Sequence, residues 1–116
     1  MAFKVLRSRQ CDRDLELIFD HLVESYHAIG DDMADALERA AERIGQIETS
    51  MARLATAPFQ GALRPDIMHG LGNVTKANAV IYFTVNEDKE EIRILALFFG
   101  GQDHQRHMLK RMIQDI

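Results

Sequence analysis

Apolar residues recur with a helical period in the first part of the chain. From residue 13 to residue 27 they follow one another at i, i+3, i+4, i+7, i+8 and i+11, which is typical of one face of an amphipathic helix. Asp12 is predicted to cap this helix and Gly30 to end it. The stripe consists of Leu15, Ile18, Phe19, Leu22, Val23 and Tyr26.

A second helical stripe begins after a short break. Asp31 and Asp32 can cap this helix, and its apolar positions then advance in alternating steps of four and three residues. Two helices joined so closely are expected to fold back as an antiparallel hairpin. A coiled-coil dimer is the competing interpretation, but a seam of three heptads beside another amphipathic stripe more often indicates an intramolecular partner. The positions of the seam are Met33, Leu37, Ala40, Ile44, Ile47, Met51 and Leu54.

The hydrophobic period changes in the second half of the chain. Pro58, Gly61 and Pro65 predict a loop over residues 57–66, because no helix can run through them. Branched and aromatic residues then predict three strands, of which the last two form an antiparallel meander. These strands cover residues 68–74, 79–85 and 92–99.

The two ends of the chain complete the predicted layout. Residues 3–8 alternate weakly and predict a first strand, whereas Gly100 and Gly101 end the last strand and Asp103 can cap a C-terminal helix. The apolar residues of that helix are Met108, Leu109, Met112, Ile113 and Ile116.

The order β-α-α-β-β-β-α predicts one α+β domain over residues 1–116. We expect a small antiparallel sheet with the helical hairpin packed on one face and a short C-terminal helix. The other face of the sheet is expected to be a shallow concave surface. The near-continuous apolarity of residues 79–85 and 95–99 indicates that both faces are shielded, and a second chain is a candidate for one shield.

Composition agrees with a single globular domain. The chain has 116 residues, of which 47% are hydrophobic and 28% charged, and one core suffices for this length. Cys11 is the only cysteine, which excludes an internal disulfide and favours a reducing, cytoplasmic setting. The first ten residues hold too short an apolar run for a signal peptide or a membrane span, so we expect a soluble protein with no membrane partner.

The charge is divided unevenly along the chain. The formal net charge of −4 does not suggest a nucleic-acid coat protein. Residues 1–57 hold seven basic and eleven acidic side chains, whereas residues 58–116 hold seven of each, and residues 87–91 form an acidic turn with a net charge of −3. The rest of the second half therefore has a net charge of +3 and predicts a side that faces an anion or an acidic partner. Its basic residues include Arg64, Lys76, Arg93, Arg106, Lys110 and Arg111.

Few residues offer a catalytic or metal-binding pattern. His104 and His107 are spaced i, i+3 on the last predicted helix, which can suit a shared metal. Since no third fixed ligand is evident, a capped and solvated helix start is the better interpretation, and no metal or other cofactor is predicted. The glycines at 70, 72, 100 and 101 lack the spacing of a phosphate-binding loop. Cys11 has no histidine nearby and is interpreted as a small buried filler.

Segments spread over essentially the whole chain carry a family resemblance. The stretch from Ile94 to His104, followed by Arg106-His-Met-Leu109, resembles the last strand and C-terminal end of the RelE and ParE toxins of type II toxin–antitoxin modules. The start, from Val5 to Leu15 with Ile18-Phe19-Asp20, and the region from Thr75 to Tyr82 are similar to the ParE, or plasmid stabilisation, branch. The resemblance implies the family fold, a small antiparallel sheet with a helical hairpin packed on it.

The two branches of this superfamily differ in their targets. A resemblance to the RelE branch implies cleavage of messenger RNA on the ribosome by basic side chains and commonly a His or Tyr. A resemblance to the ParE branch implies inhibition of DNA gyrase without such a set of catalytic side chains. Phosphoester cleavage needs cations at the phosphate and groups that accept and donate a proton. Gly72, at a position where relatives often carry an arginine, and the pI near 5.7 argue against a nuclease. The residues available for cleavage are His104, Arg93, Lys76, His69 and Tyr82.

The ParE branch gives the preferred hypothesis. On this resemblance the chain is a toxin that inhibits DNA gyrase by protein binding, is neutralised by a cognate antitoxin and meets DNA only through that antitoxin. A ribosome-dependent mRNA endonuclease and a non-toxic antitoxin-binding domain are the alternatives. The residues expected to bind a partner are Arg64, Lys76, Arg93, Asp103, His104, Arg106 and Lys110.

Overall fold

The computed structural model describes residues 2–100 and 103–114. Gly101 and Ile116, which the sequence assigns to a strand end and to the last helix, lie outside these residues. The described elements are β1 (Lys4–Arg7), α1 (Arg9–Ala28), α2 (Met33–Arg53), a short 3-10 turn (Leu54–Thr56), β2 (Ala62–Leu63), β3 (Leu71–Lys76), β4 (Ala79–Asn86), β5 (Glu91–Phe99) and α3 (His104–Gln114).

The strands form one mixed sheet in the order β1-β5-β4-β3-β2. The predicted α+β fold and the antiparallel pairing of the last two strands, β4 and β5, are confirmed, and β3 extends this meander. β1 pairs with β5 in parallel, so the sheet is mixed and the expected antiparallel sheet is wrong for this one pairing. The pairings of β2 with β3, β3 with β4 and β4 with β5 are all antiparallel, so β5 runs antiparallel to β2. The helical hairpin between β1 and β2 makes these two strands antiparallel. β5 therefore runs in the same direction as β1.

One additional strand and one later strand start also differ from the prediction. β2 lies inside the predicted loop and pairs with β3 through only two residues. β3 begins at Leu71 and not at Met68, because Gly70 adopts a φ of +81° and the Leu71 N–H donates to the Met68 carbonyl at 3.1 Å. Turn geometry that glycine permits therefore replaces the first three residues of the predicted strand.

The caps of the two long helices have different outcomes. Asp32 caps α2 as predicted, since its Oδ1 accepts a hydrogen bond from the Asp35 N–H at 2.8 Å. Ser8, and not Asp12, caps α1: its hydroxyl accepts from the Cys11 N–H at 3.0 Å. α1 therefore begins at Arg9, about one turn before the predicted helix start at residue 13.

The helical hairpin covers one face of the sheet. The predicted stripe supplies Leu15, Ile18 and Leu22 to this core, but Met33 and Leu37 of the seam remain 48% and 43% exposed. These two residues lie in the first turns of α2, where Ala36 is buried instead, whereas Ala40 of the seam is buried as predicted. The buried members on this face are Cys11, Leu15, Ile18, Leu22, Ala40, Ile47, Met51, Leu54, Ala79, Ile81, Phe83, Ile92, Ile94 and Leu97.

α3 covers the central part of the other face. Met108 is 1% exposed and packs among buried residues of β3, β4 and β5. The expected open concave surface is therefore wrong for the centre of the sheet, and the shield is the chain's own last helix. The apolar run of β4 requires this cover, because its side chains alternate between both faces. The buried set on this face is Leu71, Val80, Tyr82, Ala96, Phe98 and Met108.

Within the described residues, none of the helices is long and apolar enough to cross a membrane.

Ile47→Ala is expected to lower the free energy of unfolding by about 2–5 kcal/mol, because it empties a fully buried site in the hairpin core. Leu37→Ala removes a side chain of the same size from the exposed end of the seam and should change stability by at most about 0.5 kcal/mol. Urea unfolding of both variants measures the difference, and equal midpoints would contradict the position of the hairpin.

Candidate functional site

The fold brings Tyr82 and His104 together. β4 places Tyr82 on the face covered by α3, in register with Asn73 on β3 and Ala96 on β5. His104 is the first residue of α3, and its Nδ1 lies 2.7 Å from the Tyr82 Oη. Asp103 holds the start of the helix, since its Oδ1 accepts from the Arg106 N–H at 3.4 Å.

The environment of Tyr82 keeps its hydroxyl protonated near neutral pH. Burial raises the pKa of this hydroxyl, although the side chain of Asn73 and the guanidinium of Arg64 favour its ionised form. A protonated phenol can donate to Nδ1 of a neutral His104 or accept from the imidazolium. The pair could in principle exchange a proton, as general acid–base chemistry requires.

Access to this pair is restricted. Tyr82 is 0% exposed beneath α3, and His104 is half-buried. A substrate phosphate could not contact the Tyr82 hydroxyl while α3 occupies this face.

The other residues available for cleavage do not assemble around Tyr82. Lys76, the last residue of β3, is in register with Ala79, whose side chain faces the helical hairpin on the opposite face of the sheet. Arg93 is exposed on the Tyr82 face and pairs with Thr84, further along β4. His69 is exposed in the turn that precedes β3. Arg64, which belongs to the predicted partner-binding set, is the cation whose charge favours the ionised form of the Tyr82 hydroxyl.

The residues predicted to bind a partner are spread over both faces of the sheet. Arg64 is half-buried, and its Nη2 lies 3.2 Å from Asp66 Oδ2. Arg106 and Lys110 are exposed on α3, whereas Lys76 lies on the hairpin side. Four members of the predicted set lie together at α3, whereas three lie apart from it: Arg64 before β3, Lys76 at the end of β3 and Arg93 on β5.

A buried ion pair that the sequence analysis missed fixes α3. Asp14 is 3% exposed on α1, and its two carboxylate oxygens accept hydrogen bonds from Arg111 Nη1 and Nη2, both at 2.8 Å. Asp14 Oδ2 also accepts from the Leu97 N–H at 2.9 Å. β1 pairs with β5 only as far as Ile94. Beyond that point the Asp14 carboxylate, and not a neighbouring strand, accepts the hydrogen bond from the Leu97 N–H. An acidic residue next to Leu15 on the apolar face of a helix is the signal that could have revealed it.

The two imidazoles of α3 have separate partners. His104 contacts Tyr82, whereas the ring of His107 stacks on Phe98 with the ring centres 6.0 Å apart. Among the residues that the structure describes, no group of three or more His, Cys, Asp or Glu side chains is arranged to hold a metal ion. Burial raises the pKa of the Cys11 thiol to about 12, so this side chain stays protonated and behaves as a filler.

Comparison with known proteins identifies the fold. No family model matches this sequence, and no curated protein matches it. A chain of the chromosomal ParDE toxin–antitoxin system from P. aeruginosa matches with a TM-score of 0.65 and 24% identity, over 86% of this chain and 98% of that chain.

Two further solved structures match at lower identity. A chain of the RelBE2 toxin–antitoxin complex from Mycobacterium tuberculosis has a TM-score of 0.52 and 11% identity, over 85% of this chain and 99% of that chain. The isolated E. coli RelE toxin has a TM-score of 0.52 and 9% identity, over 96% of this chain and 99% of that chain. The fold that the sequence resemblance implies is therefore confirmed: this chain has the RelE/ParE toxin fold, and its TM-score is higher with the ParDE chain than with the RelBE2 and RelE chains.

Proposed function

We propose that this chain is the toxin of a type II toxin–antitoxin module and that it acts by binding a protein target. The observation that carries the proposal is the fold, which the chain shares over nearly the full length of a ParDE chain and of the RelE toxin. Two of the matching structures are described as toxin–antitoxin assemblies, which supports a cognate antitoxin as the neutralising partner.

The closed Tyr82–His104 pair favours a binding mechanism over RNA cleavage. Cleavage needs cations and proton-transfer groups that converge on one accessible phosphate. Here Tyr82 is fully buried and Lys76 lies towards the other face of the sheet. Following the resemblance to the ParE branch, we propose DNA gyrase as the target.

Induced expression of the chain tests this function. We expect growth arrest with a DNA-damage response and without transcript cleavage, and we expect co-expression of a cognate antitoxin to restore growth. Supercoiling of relaxed DNA by purified gyrase and ATP, with and without the chain, identifies the target directly. Unimpaired growth on induction would contradict the toxin assignment, and arrest without gyrase inhibition would contradict the target.

A RelE-type nuclease is the second candidate, because the Tyr82 hydroxyl and His104 Nδ1 are 2.7 Å apart. Such a nuclease would require α3 to move away from the sheet, since the hydroxyl is covered. Codon-positioned transcript cleavage on induction would support this candidate over the inhibitor.

His104→Ala separates the two candidates. For an inhibitor we expect a loss of about 1–3 kcal/mol of stability, because the buried Tyr82 hydroxyl loses a partner, with growth inhibition largely unchanged. For a nuclease, loss of a general acid or base should reduce cleavage by roughly 100- to 10,000-fold. His107→Ala is the matched control, since it removes an imidazole from the same helix without touching Tyr82. Transcript mapping after induction decides between them: cleavage that His104→Ala abolishes and His107→Ala preserves would overturn the inhibitor.

A further inference from the structure

A cavity of about 480 Å³ lies between α1, α3 and the end of β5. We refer to it as the α1–α3 cleft. α1 lines it with Asp14, Leu17 and His21, which are spaced i, i+3 and i+7 and so share one helix face. α3 lines the opposite wall with His107, Lys110 and Arg111. This volume lies within the range of about 300–1,000 Å³ that is typical of pockets for small ligands and side chains.

The charge of the cleft is opposite to that of the whole chain. Asp14 is the only acid among the described residues that line it, and Arg111 compensates its charge through two hydrogen bonds. Lys110 is exposed and forms no ion pair within residues 2–100 and 103–114. The cleft therefore presents an uncompensated ammonium group beside the imidazoles of His21 and His107, in a chain of net charge −4.

The cleft also contains an apolar contact that the core does not use. Leu17 is 64% exposed and lies outside the stripe of α1 that packs on the sheet. A single exposed leucine is ordinary on a protein surface. Here it lies on the wall of a concave site beside cationic groups, a combination that suits a ligand with both an apolar and an anionic part.

We propose that the α1–α3 cleft binds an acidic, amphipathic segment of the antitoxin. A large apolar side chain of that segment contacts Leu17, and a neighbouring carboxylate faces Lys110 and the two imidazoles. The inference rests on the proposed function, in which the antitoxin is the partner. The basic second half of the sequence predicts an acidic partner, and the α1–α3 cleft gives that partner a specific binding site.

The cleft suits a peptide carboxylate better than a nucleic-acid backbone. Nucleic-acid sites owe their affinity to several phosphate contacts from lysine and arginine. In this cleft Arg111 is already bonded to Asp14 and Lys110 is the free lysine, while Leu17 offers an apolar surface that a phosphate backbone cannot use.

Fluorescence anisotropy with a labelled synthetic peptide tests the site on the full chain. The peptide carries leucine and glutamate one helical turn apart, and its counterpart carries glutamine in place of glutamate. We expect saturable binding of the acidic peptide and much weaker binding of the counterpart. Lys110→Glu and Leu17→Asp should each raise the Kd at least about tenfold. Lys89→Glu makes the same charge change on the exposed turn between β4 and β5 and should leave the Kd unchanged.

Several results would overturn the site. These are absence of saturable binding to the wild-type chain, equal affinity for the two peptides, and a Kd that neither cleft variant alters. A single-stranded oligonucleotide that binds as tightly, with the same dependence on Lys110, would replace the peptide with a phosphate ligand. If Lys110→Glu does not unfold cooperatively, the Kd of the peptide is measured on Lys110→Gln instead, because this variant removes the charge without reversing it.

Failure of the site is distinguishable from failure of the proposed function. Growth arrest on induction and its relief by the antitoxin do not depend on the peptide assay. If the antitoxin neutralises Lys110→Glu and Leu17→Asp as well as the wild type, and the peptide also binds them normally, the site is wrong while the toxin assignment stands. If induction causes no arrest, the toxin assignment fails, whatever the peptide does.

Discussion

Replacing Asp14 with alanine is expected to lower the free energy of unfolding by about 3–5 kcal/mol. The change leaves the Arg111 guanidinium, whose side chain is 27% exposed, without its carboxylate. It also leaves the Leu97 N–H without an acceptor at the end of β5. Three elements lose their common contact at once, because Asp14 joins α1 to both β5 and α3.

Urea unfolding measures this effect, and two further variants control it. Asp12 lies in the same helix as Asp14, and Asp12→Ala breaks its exposed ion pair with Arg7 of β1, which should cost about 1 kcal/mol or less. Asp14→Leu combined with Arg111→Met removes both charges and should recover much of the loss, although the Leu97 N–H remains unpaired. If Asp14→Ala is no less stable than Asp12→Ala, the buried pair does not hold α3.

Deleting residues 103–116 is expected to abolish growth inhibition. The deletion removes α3, whose outer surface carries Leu109 and Ile113 with 43% and 63% of their surfaces exposed. Exposed apolar side chains on a helix suit contact with a protein target. Growth after induction measures the loss, and arrest by the shortened chain would show that α3 is not part of the contact surface.

The deletion must be separated from misfolding, because it uncovers an apolar face of the sheet. Cooperative unfolding of the shortened chain would show that the rest of the fold is intact. Leu109→Glu combined with Ile113→Glu is the sharper variant: α3 keeps Met108 and Arg111 in place while its outer surface becomes acidic. We expect normal stability and loss of inhibition from this double variant. Full inhibition by the folded double variant would contradict a target contact at these two residues.

Hydrophobic periodicity predicted the elements well, because it depends on neighbours along the chain. The stripe of α1 and the apolar runs of β4 and β5 gave the helical hairpin and the meander. Periodicity does not say what covers an apolar face, so it could not assign the second face of the sheet to α3. It also could not give β1 its direction, since parallel pairing with β5 depends on a strand more than 80 residues away.

The candidate site was predicted only in part, for the same reason. Tyr82 and His104 stood out by residue type, but only the packing of α3 on β4 brings them to 2.7 Å. The partner of Asp14 could not be predicted from neighbouring residues, because Arg111 lies 97 residues further along the chain. Ser8 could not be predicted as the cap from a stripe that begins at Leu15, because Cys11, the buried residue of the first turn, lies outside that stripe.

The parallel pairing of β1 with β5 also sets the order in which a newly made chain can fold. β1 is made before the other described elements, yet its only strand partner in the described sheet, β5, is made more than 80 residues later. At ~5–20 residues per second, roughly 5–20 s separate the synthesis of Asp14 from that of Arg111. Until then the chain has an unpaired first strand and an uncovered second face of the sheet, and both are open to association with other chains.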